Sequence, residues 1–234
     1  MKAIILNSGI GKRMRPFTND NPKCLAKLNG KTILEHEIEN LIYCGINEMI
    51  ITTGPFEDKI KEVMEKKFPD VKVTYVKNTK YKSTNYIYSM WLIKDMIDDD
   101  IILLHGDMVF DKVLLSTLIK SKCLNCALVN NKIKPPEKDF KANVVNGYIK
   151  KIGVNVFGKN CFFLAPIYKF SKSDFMKWLK EIGKFIDRNN IKVYAEDAFN
   201  EISDKVLLKA VYYDNKLCME VDNFDDLNKA KQFF

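Results

Sequence analysis

Residues 2–23 read Lys-Ala-Ile-Ile-Leu-Asn-Ser-Gly-Ile-Gly-Lys-Arg-Met-Arg-Pro-Phe-Thr-Asn-Asp-Asn-Pro-Lys, an apolar run that passes directly into a glycine-bearing, cationic loop. Gly9 and Gly11 permit positive φ and let backbone N–H groups approach phosphate oxygens. Lys12, Arg13, Arg15 and Lys23 add four cations within residues 12–23. A strand followed by such a loop is the layout of a nucleoside triphosphate cradle. It is not a Walker A loop, because Gly11-Lys12 is followed by Arg13 where a Mg²⁺-binding hydroxyl would stand. Nor is it a dinucleotide fingerprint, because Met14 takes the place of the third glycine.

Beyond this loop the first half alternates strand-like and helix-like stretches. Lys2–Leu6, Glu48–Thr53, Val71–Val76 and Ile101–His105 read as strands; Ile33–Cys44, Phe56–Phe68 and Tyr86–Met96 read as helices, the last capped by Thr84 or Asn85. Such alternation predicts an α/β fold with a doubly wound, mostly parallel, Rossmann-like sheet. Ligands of such sheets bind beyond the carboxyl ends of the strands, where the Gly9 loop, Gly54, Asn78 and Gly106-Asp107 converge. After Asp111 the pattern loosens into a small β/α subregion. Asn125–Asn130 and Leu207–Tyr213 read as strands, Ala142–Ile152 as a hairpin around Asn146-Gly147, and Ser171–Asp187 and Asn223–Phe233 as helices. Phe175, Trp178, Leu179, Ile182 and Ile186 form the apolar stripe of the first of these. The chain reads as one domain, with a nucleotide-binding half at 1–111 and an acceptor-binding half at 112–234.

Composition narrows the class. A 47% hydrophobic content over 234 residues suits one packed core and argues against disorder. The net charge of +8 is spread through the sequence and interleaved with 30 acidic residues, which suggests a basic substrate face more than a nucleic-acid surface. No apolar run approaches membrane-spanning length, and no leader-like segment precedes the first strand, so a cytoplasmic location is expected. The six cysteines are scattered, and Cys123-x-x-Cys126 has no second pair at zinc spacing, so free thiols are expected.

The loop fits G-x-G-x-R-x-x-P-x-T-x-x-x-P-K through Gly9, Gly11, Arg13, Pro16, Thr18, Pro22 and Lys23. This resembles the signature of the nucleotidyltransferases that make nucleotide sugars and CDP-choline-type compounds. The likeness continues through Ile33-Leu34-Glu35, Cys44–Glu48, Asn78-x-x-Tyr81-x-x-Thr84-Asn85-x-x-x-Ser89, Gly106-Asp107 and Glu220-Val221-Asp222. Asn7-Ser8 departs from the small apolar pair usual before the glycine, and with no hexapeptide repeat in the sequence the resemblance does not extend to those relatives that append a β-helical acyltransferase domain. The short chain and its Glu-Val-Asp ending look most like the compact bacterial cytidylyltransferases.

The resemblance implies a Mg²⁺-dependent enzyme that joins CTP to a phosphorylated acceptor, with a role in capsule or surface-polysaccharide modification. Leu6, Asn7, Ser8, Gly9, Gly11, Lys12 and Arg13 would hold the nucleotide, and Gly54, Asn78, Thr84 and Asn85 would form the base pocket. Arg13 would bind the leaving end of the triphosphate and Lys23 would bridge the α-phosphate and the acceptor phosphate. Asp107 and Asp222 match the metal-binding aspartates. Mg²⁺ takes such hard oxygens, although Asp107 also suits a turn and Asp222 a helix cap. Glu196-Asp197 would face the acceptor, but an acidic pair at a helix start is equally expected from the helix dipole.

Asp98–Asp100 reads as a solvated turn, and His105 as a strand residue rather than a base. Trp91 and Trp178 both lie in helical core stripes, leaving no obvious aromatic box for a quaternary ammonium. That favours a polar, amino-acid-like acceptor such as L-glutamine phosphate, with Lys132, Lys134 and Lys141 as carboxylate partners. Phosphocholine, a sugar 1-phosphate with UTP or dTTP, a basic nucleic-acid-binding protein and a homodimer remain alternatives.

Overall fold

The computed structural model describes residues 1–233. β1 (Lys2–Asn7) leads through single 3₁₀ turns at Lys12–Met14, Phe17–Asn19 and Lys23–Leu25, then through the hairpin of β2 (Lys27–Leu28) and β3 (Lys31–Thr32), into α1 (Ile33–Tyr43). The alternation continues with β4 (Glu48–Thr53), α2 (Glu57–Lys67), β5 (Lys72–Lys77), α3 (Tyr86–Leu92) and β6 (Ile101–His105). Next come β7 (Met108–Phe110), α4 (Lys112–Lys120), β8 (Cys126–Asn130), β9 (Lys141–Val145), β10 (Tyr148–Gly153) and β11 (Cys161–Phe170). The chain closes with α5 (Lys172–Asp187), α6 (Ala195–Asn200), β12 (Leu208–Tyr212), β13 (Cys218–Glu220) and α7 (Phe224–Lys231).

Local chemistry sets several of these boundaries. Thr32 and Glu35 form a reciprocal capping box at the start of α1, with Thr32 Oγ1 accepting from the Glu35 N–H at 3.1 Å and Glu35 accepting from the Thr32 N–H at 2.7 Å. Asn85, rather than Thr84, caps α3, which ends at Leu92, short of the expected Met96. Asn146 and Gly147 both adopt left-handed φ, the requirement of the tight turn that joins β9 to β10.

One nine-stranded sheet, in the order β5-β4-β1-β6-β11-β8-β12-β10-β9, runs through both halves. Helices cover both of its faces, as a doubly wound fold requires. Ala3 and Ile5 of β1 face a core shared with Leu34 and Ile38 of α1 and Leu114 and Leu118 of α4; Ile4 faces a core shared with Met90 of α3 and Phe175, Trp178 and Leu179 of α5. Each such fully buried side chain contributes about 1.5–3 kcal/mol relative to exposure.

The sheet is mixed rather than mostly parallel. β5, β4, β1 and β6 are parallel, and so are β8 and β12, but β11 runs antiparallel to β6 and β8, and β10 antiparallel to β12 and β9. β11 is the source of the difference, because the sequence reading places no element at residues 161–170. A register shift between Leu164 and Tyr168 lets its first residues also pair with β9, so β11, β8, β12, β10 and β9 close on themselves. Apart from the main sheet, β7 and β13 form an antiparallel ribbon. Met14 of the cationic loop packs with Val109 and Val221 at this ribbon and with Leu227 of α7. Among the described residues all six cysteines are free, and no helix is long and apolar enough to cross a membrane.

Candidate active site

The carboxyl ends of β1 and β6 open onto a cavity of about 360 Å³. Leu6, Asn7 and Ser8 of the β1 end line it together with Gly9, Gly11, Lys12, Arg13 and Lys23; Arg15 does not. Gly11 has φ 66°, and a Cβ there would stand 3.2 Å from both Lys23 Cβ and Thr18 Cγ2, so the turn demands glycine. Thr18 Oγ1 donates to the Gly11 carbonyl at 2.9 Å. Gly9 lies outside the left-handed region, and nothing stands within 4 Å of where its Cβ would be.

Of the four residues expected to form a base pocket, three line this cavity and one does not. Asn78, Thr84 and Asn85 line the cavity. The buried Asn78 amide is fully engaged, donating to Thr84 Oγ1 and Ser89 Oγ at 3.0 Å each and accepting from the Lys80 N–H at 2.9 Å. Ser89 Oγ lies 2.6 Å from Ser8 Oγ, so this network ties the wall after β5 to the end of β1. Gly54, however, lies behind the wall: a Cβ there would come within 2.5 Å of the Ser8 carbonyl oxygen. It permits close backbone approach and does not itself line the cavity. Gly106 does line it, and any side chain there would overlap the Asn7 amide.

Cations and carboxylates meet at the cavity floor. The Lys23 ammonium contacts Asp107 and lies 3.2 Å from Asp222 Oδ1, which also receives Arg13 Nη2 at 2.7 Å. Lys138, from the loop before β9, reaches Asp222 at 3.5 Å and also pairs with Asp226. Burial alone would raise the Asp222 carboxyl, but Lys23 and Arg13 draw it below the usual carboxylate range. Lys23 shows the converse: burial opposes its charge, and Asp107 and Asp222 nevertheless hold its ammonium above the ordinary value. Beside them Glu220 is driven well above the usual range by burial and by Asp107 and other carboxylates.

Asp107 Oδ1, Glu220 Oε1 and His105 Nε2 are buried without hydrogen-bond partners. His105, Asp107 and Glu220 can bring their donor atoms within 4.8 Å of one another. Hard oxygens left unpaired in this way fit a divalent cation. Asp222, expected to be the second metal ligand, stands beside this set but is occupied by its cation partners. The helix cap that competed for it belongs to Asn223, whose Oδ1 accepts from the Asp226 N–H at 2.9 Å.

The acceptor side departs further from expectation. Asp197 turns away to cap its own helix, accepting the Tyr194 N–H at 2.9 Å. Glu196 is 1% exposed and lies behind the cavity wall, where it accepts from Tyr168 Oη at 2.9 Å and from Tyr86 Oη. Lys141 is no carboxylate partner: its buried ammonium donates to the carbonyls of Glu137, Asp139 and Val154 at 2.6–3.0 Å. Lys132 lines a separate cavity of about 920 Å³ beside the Phe110–Cys218 end of the ribbon. Lys134 is exposed and lines neither cavity. Lys138 is the lysine of that loop that enters the site.

Aromatic rings that the sequence kept far apart also meet there. Tyr86 lies 4.6 Å from His105 and 5.9 Å from Tyr194, and Phe140 lies 5.0 Å from Tyr194, centroid to centroid. All four rings line the cavity, so the absence of an aromatic box, inferred from the two tryptophans, does not hold. His105 ends β6 as expected, yet it also faces the cavity, and burial lowers its imidazole below the ordinary value.

Comparison with known proteins gives the same reading of the loop. A family model described as nucleotidyl transferase matches residues 2–138, which contain the glycine-bearing cationic loop, the segment from Asn78 to Ser89 and Asp107. The CTP:phosphoglutamine cytidylyltransferase of Campylobacter jejuni is 28% identical over an alignment that covers 95% of this chain and 93% of that one. The choline-phosphate cytidylyltransferase of Streptococcus pneumoniae is 35% identical, over 52% of this chain and 51% of its own. Among solved structures, the inositol-1-phosphate CTP transferase from T. maritima superimposes with a TM-score of 0.82 and 24% identity, covering 99% of this chain and 93% of that one, and bears on the fold. A phosphate loop on a parallel α/β half, carboxylates facing its lysine, and a family match across that half agree: the chain belongs to the nucleotidyl transferase family and is an enzyme of that class.

Proposed function

We propose that this nucleotidyltransferase moves a cytidylyl group from CTP to a small phosphorylated acceptor, releases pyrophosphate, and uses Mg²⁺. The observation that carries the reading is the junction at Lys23, whose ammonium lies between Asp107 and Asp222 at the mouth of the phosphate loop. An acceptor phosphate is already a nucleophile, so the chain has to align two anions and neutralise them. Lys12, Arg13 and Lys23 all line the cavity; in this reading Lys12 and Arg13 hold the departing pyrophosphate, and Lys23 serves the α-phosphate and the acceptor phosphate. As an oxygen of the acceptor phosphate bonds to the α-phosphorus and the bond to pyrophosphate breaks, Lys23 stabilises charge on the bridging oxygens. Asp107 and Glu220 would hold the metal, joined by Asp222 once its cation partners turn to the phosphates, and the metal would supply Lewis-acid neutralisation of the phosphate oxygens.

For the acceptor we favour L-glutamine phosphate, which agrees with the phosphoglutamine enzyme aligned over nearly the whole chain. Its product would be an activated precursor for modifying a surface polysaccharide. A second reading, phosphocholine, is favoured by the rings of Tyr86, Phe140 and Tyr194 with the Glu196 carboxyl behind them, a setting suited to a cationic head group. The two are separated by measuring pyrophosphate release from CTP, UTP, dTTP and ATP against L-glutamine phosphate, phosphocholine and sugar 1-phosphates. Turnover confined to CTP and L-glutamine phosphate is the expected result. Equal use of all four nucleotides would reject the cytidylyl assignment, and no release from any would reject the transferase chemistry.

A further inference from the structure

The ribbon beside the proposed metal-binding carboxylates is short, and among the described residues the outer edge of β7 has no neighbouring strand. In the seam between β7 and β13, the Val221 N–H donates to the Asp107 carbonyl and the Asp111 N–H to the Leu217 carbonyl, at 2.9 Å each. The alternation of a strand sends the backbone groups of Met108 and Phe110 to the opposite edge. There α1 supplies side chains in place of a neighbouring strand. Glu37 Oε1 accepts the Met108 N–H at 3.1 Å, and Asn40 Nδ2 donates to the Phe110 carbonyl at 3.0 Å. The two residues are three apart on α1 and so share a helix face. Glu37 is 0% exposed, a costly place for a carboxyl group unless it satisfies something equally buried.

We infer that Glu37 and Asn40 are positioning residues for nucleotidyl transfer. They replace a missing strand and fix the height of the β7–β13 ribbon, and therefore the places of Asp107, Glu220 and Asp222 relative to Lys23. Neither touches the phosphates. Their effect is exerted through Met108, the residue next to Asp107, and through the partner strand, where Glu220 lies opposite Met108. The inference rests on the proposed metal-assisted reaction only for its kinetic consequence; the clamp itself is a statement about the ribbon.

The test compares Glu37→Leu, which removes the acceptor, with Glu37→Gln, which keeps an oxygen in the same place, and with the milder Asn40→Ala. Pyrophosphate release, Mn²⁺ affinity by electron paramagnetic resonance, CTP affinity without metal, and hydrogen exchange are measured on each. For Glu37→Leu, kcat and Mn²⁺ affinity are expected to fall about 10-fold or more while metal-free CTP affinity stays within about threefold, because alignment is lost and the phosphate loop is intact. Glu37→Gln should recover kcat to within about threefold, since the Met108 N–H regains an acceptor. Amides of residues 107–110 and 218–222 should exchange faster in Glu37→Leu than in Glu37→Gln. Asn40→Ala should show the same signature more weakly.

Wild-type kcat in Glu37→Leu, equal losses in the Leu and Gln variants, or a parallel fall of metal-free CTP affinity would each overturn the inference. If Glu37→Leu does not fold, Asn40→Ala decides, and unchanged kcat and exchange in that variant overturn it. Failure of the wild-type enzyme to release pyrophosphate would reject the function proposed above, whereas unaltered ribbon exchange would reject the clamp.

Discussion

The proposed nucleotide side and the proposed acceptor side of the cavity are built on different principles. The first is made where parallel strands end: β1 and β6 are adjacent, their last residues pair as Leu6 with His105, and the phosphate loop follows within the same stretch of chain. The second is assembled from side chains far apart in sequence, Tyr86, Phe140 and Tyr194, brought together by a sheet that reverses direction at β11. On the proposed nucleotide side backbone geometry would fix a ligand, so its chemistry would be rigid. On the proposed acceptor side ring size and charge would select one, and single substitutions could retune it.

That contrast breaks if variants on the nucleotide side discriminate between acceptors. The largest effect is expected for Asp107→Asn, which keeps size and removes the charge facing Lys23; kcat should fall about 10³-fold with every acceptor. Near-normal turnover would move the metal-binding carboxylate elsewhere.

Lys23→Ala should come next, lowering kcat about 10²- to 10³-fold while CTP affinity measured by calorimetry changes little, because charge on the bridging oxygens grows in the transition state. Arg13→Ala should weaken CTP binding itself, as its triphosphate contact precedes reaction. Should Lys23→Ala lose only affinity, the two roles are exchanged.

On the acceptor side, Tyr194→Ala should raise the KM for the acceptor about 10-fold and leave the KM for CTP unchanged. A matching rise for CTP would show that the rings belong to the nucleotide side, which removes the distinction between the two regions.

The smallest effect concerns stability. The Asp222 carboxyl is held below its unfolded value, so its contribution is present above the unfolded pKa of about 4 and is lost as pH falls through the lower folded value. Asp222→Asn should therefore cost about 1–2 kcal/mol between pH 5 and 8, a gap that closes below about pH 4. Urea unfolding of both proteins across this range measures it. A gap that widens in acid would contradict the assigned ion pairs.

The same division governs what could be read from the sequence. Phosphate chemistry needs particular residues at fixed spacing along one segment, so the loop, the four parallel strands and the positions of Asp107 and Asp222 were legible. β11 was not, because Cys-Phe-Phe-Leu-Ala-Pro-Ile-Tyr-Lys-Phe is buried on both faces and shows no period-two alternation, and Pro166 discourages a central strand. With β11 unread, the reversal of the sheet and the meeting of Tyr86, Phe140 and Tyr194 could not be foreseen. Lys138 and Lys141 lie three residues apart in one basic stretch, and nothing local distinguishes the one that reaches Asp222 from the one that binds backbone carbonyls. Glu37 had a weak signal: a glutamate set among Ile33, Leu34, Ile38 and Leu41 of α1 suggests a buried partner, though not which one.

The close approach of Asn7 and Gly106 constrains how this chain can drift. Because any Cβ at 106 would overlap the Asn7 amide, a side chain arises there most easily in a lineage that has already shortened residue 7. The reverse order passes through an intermediate in which the Asn7 amide must turn out of the way. The asparagine that departs from the small apolar residue usual at this place thus favours glycine at its neighbour, and the two positions form an epistatic pair with a preferred order of change.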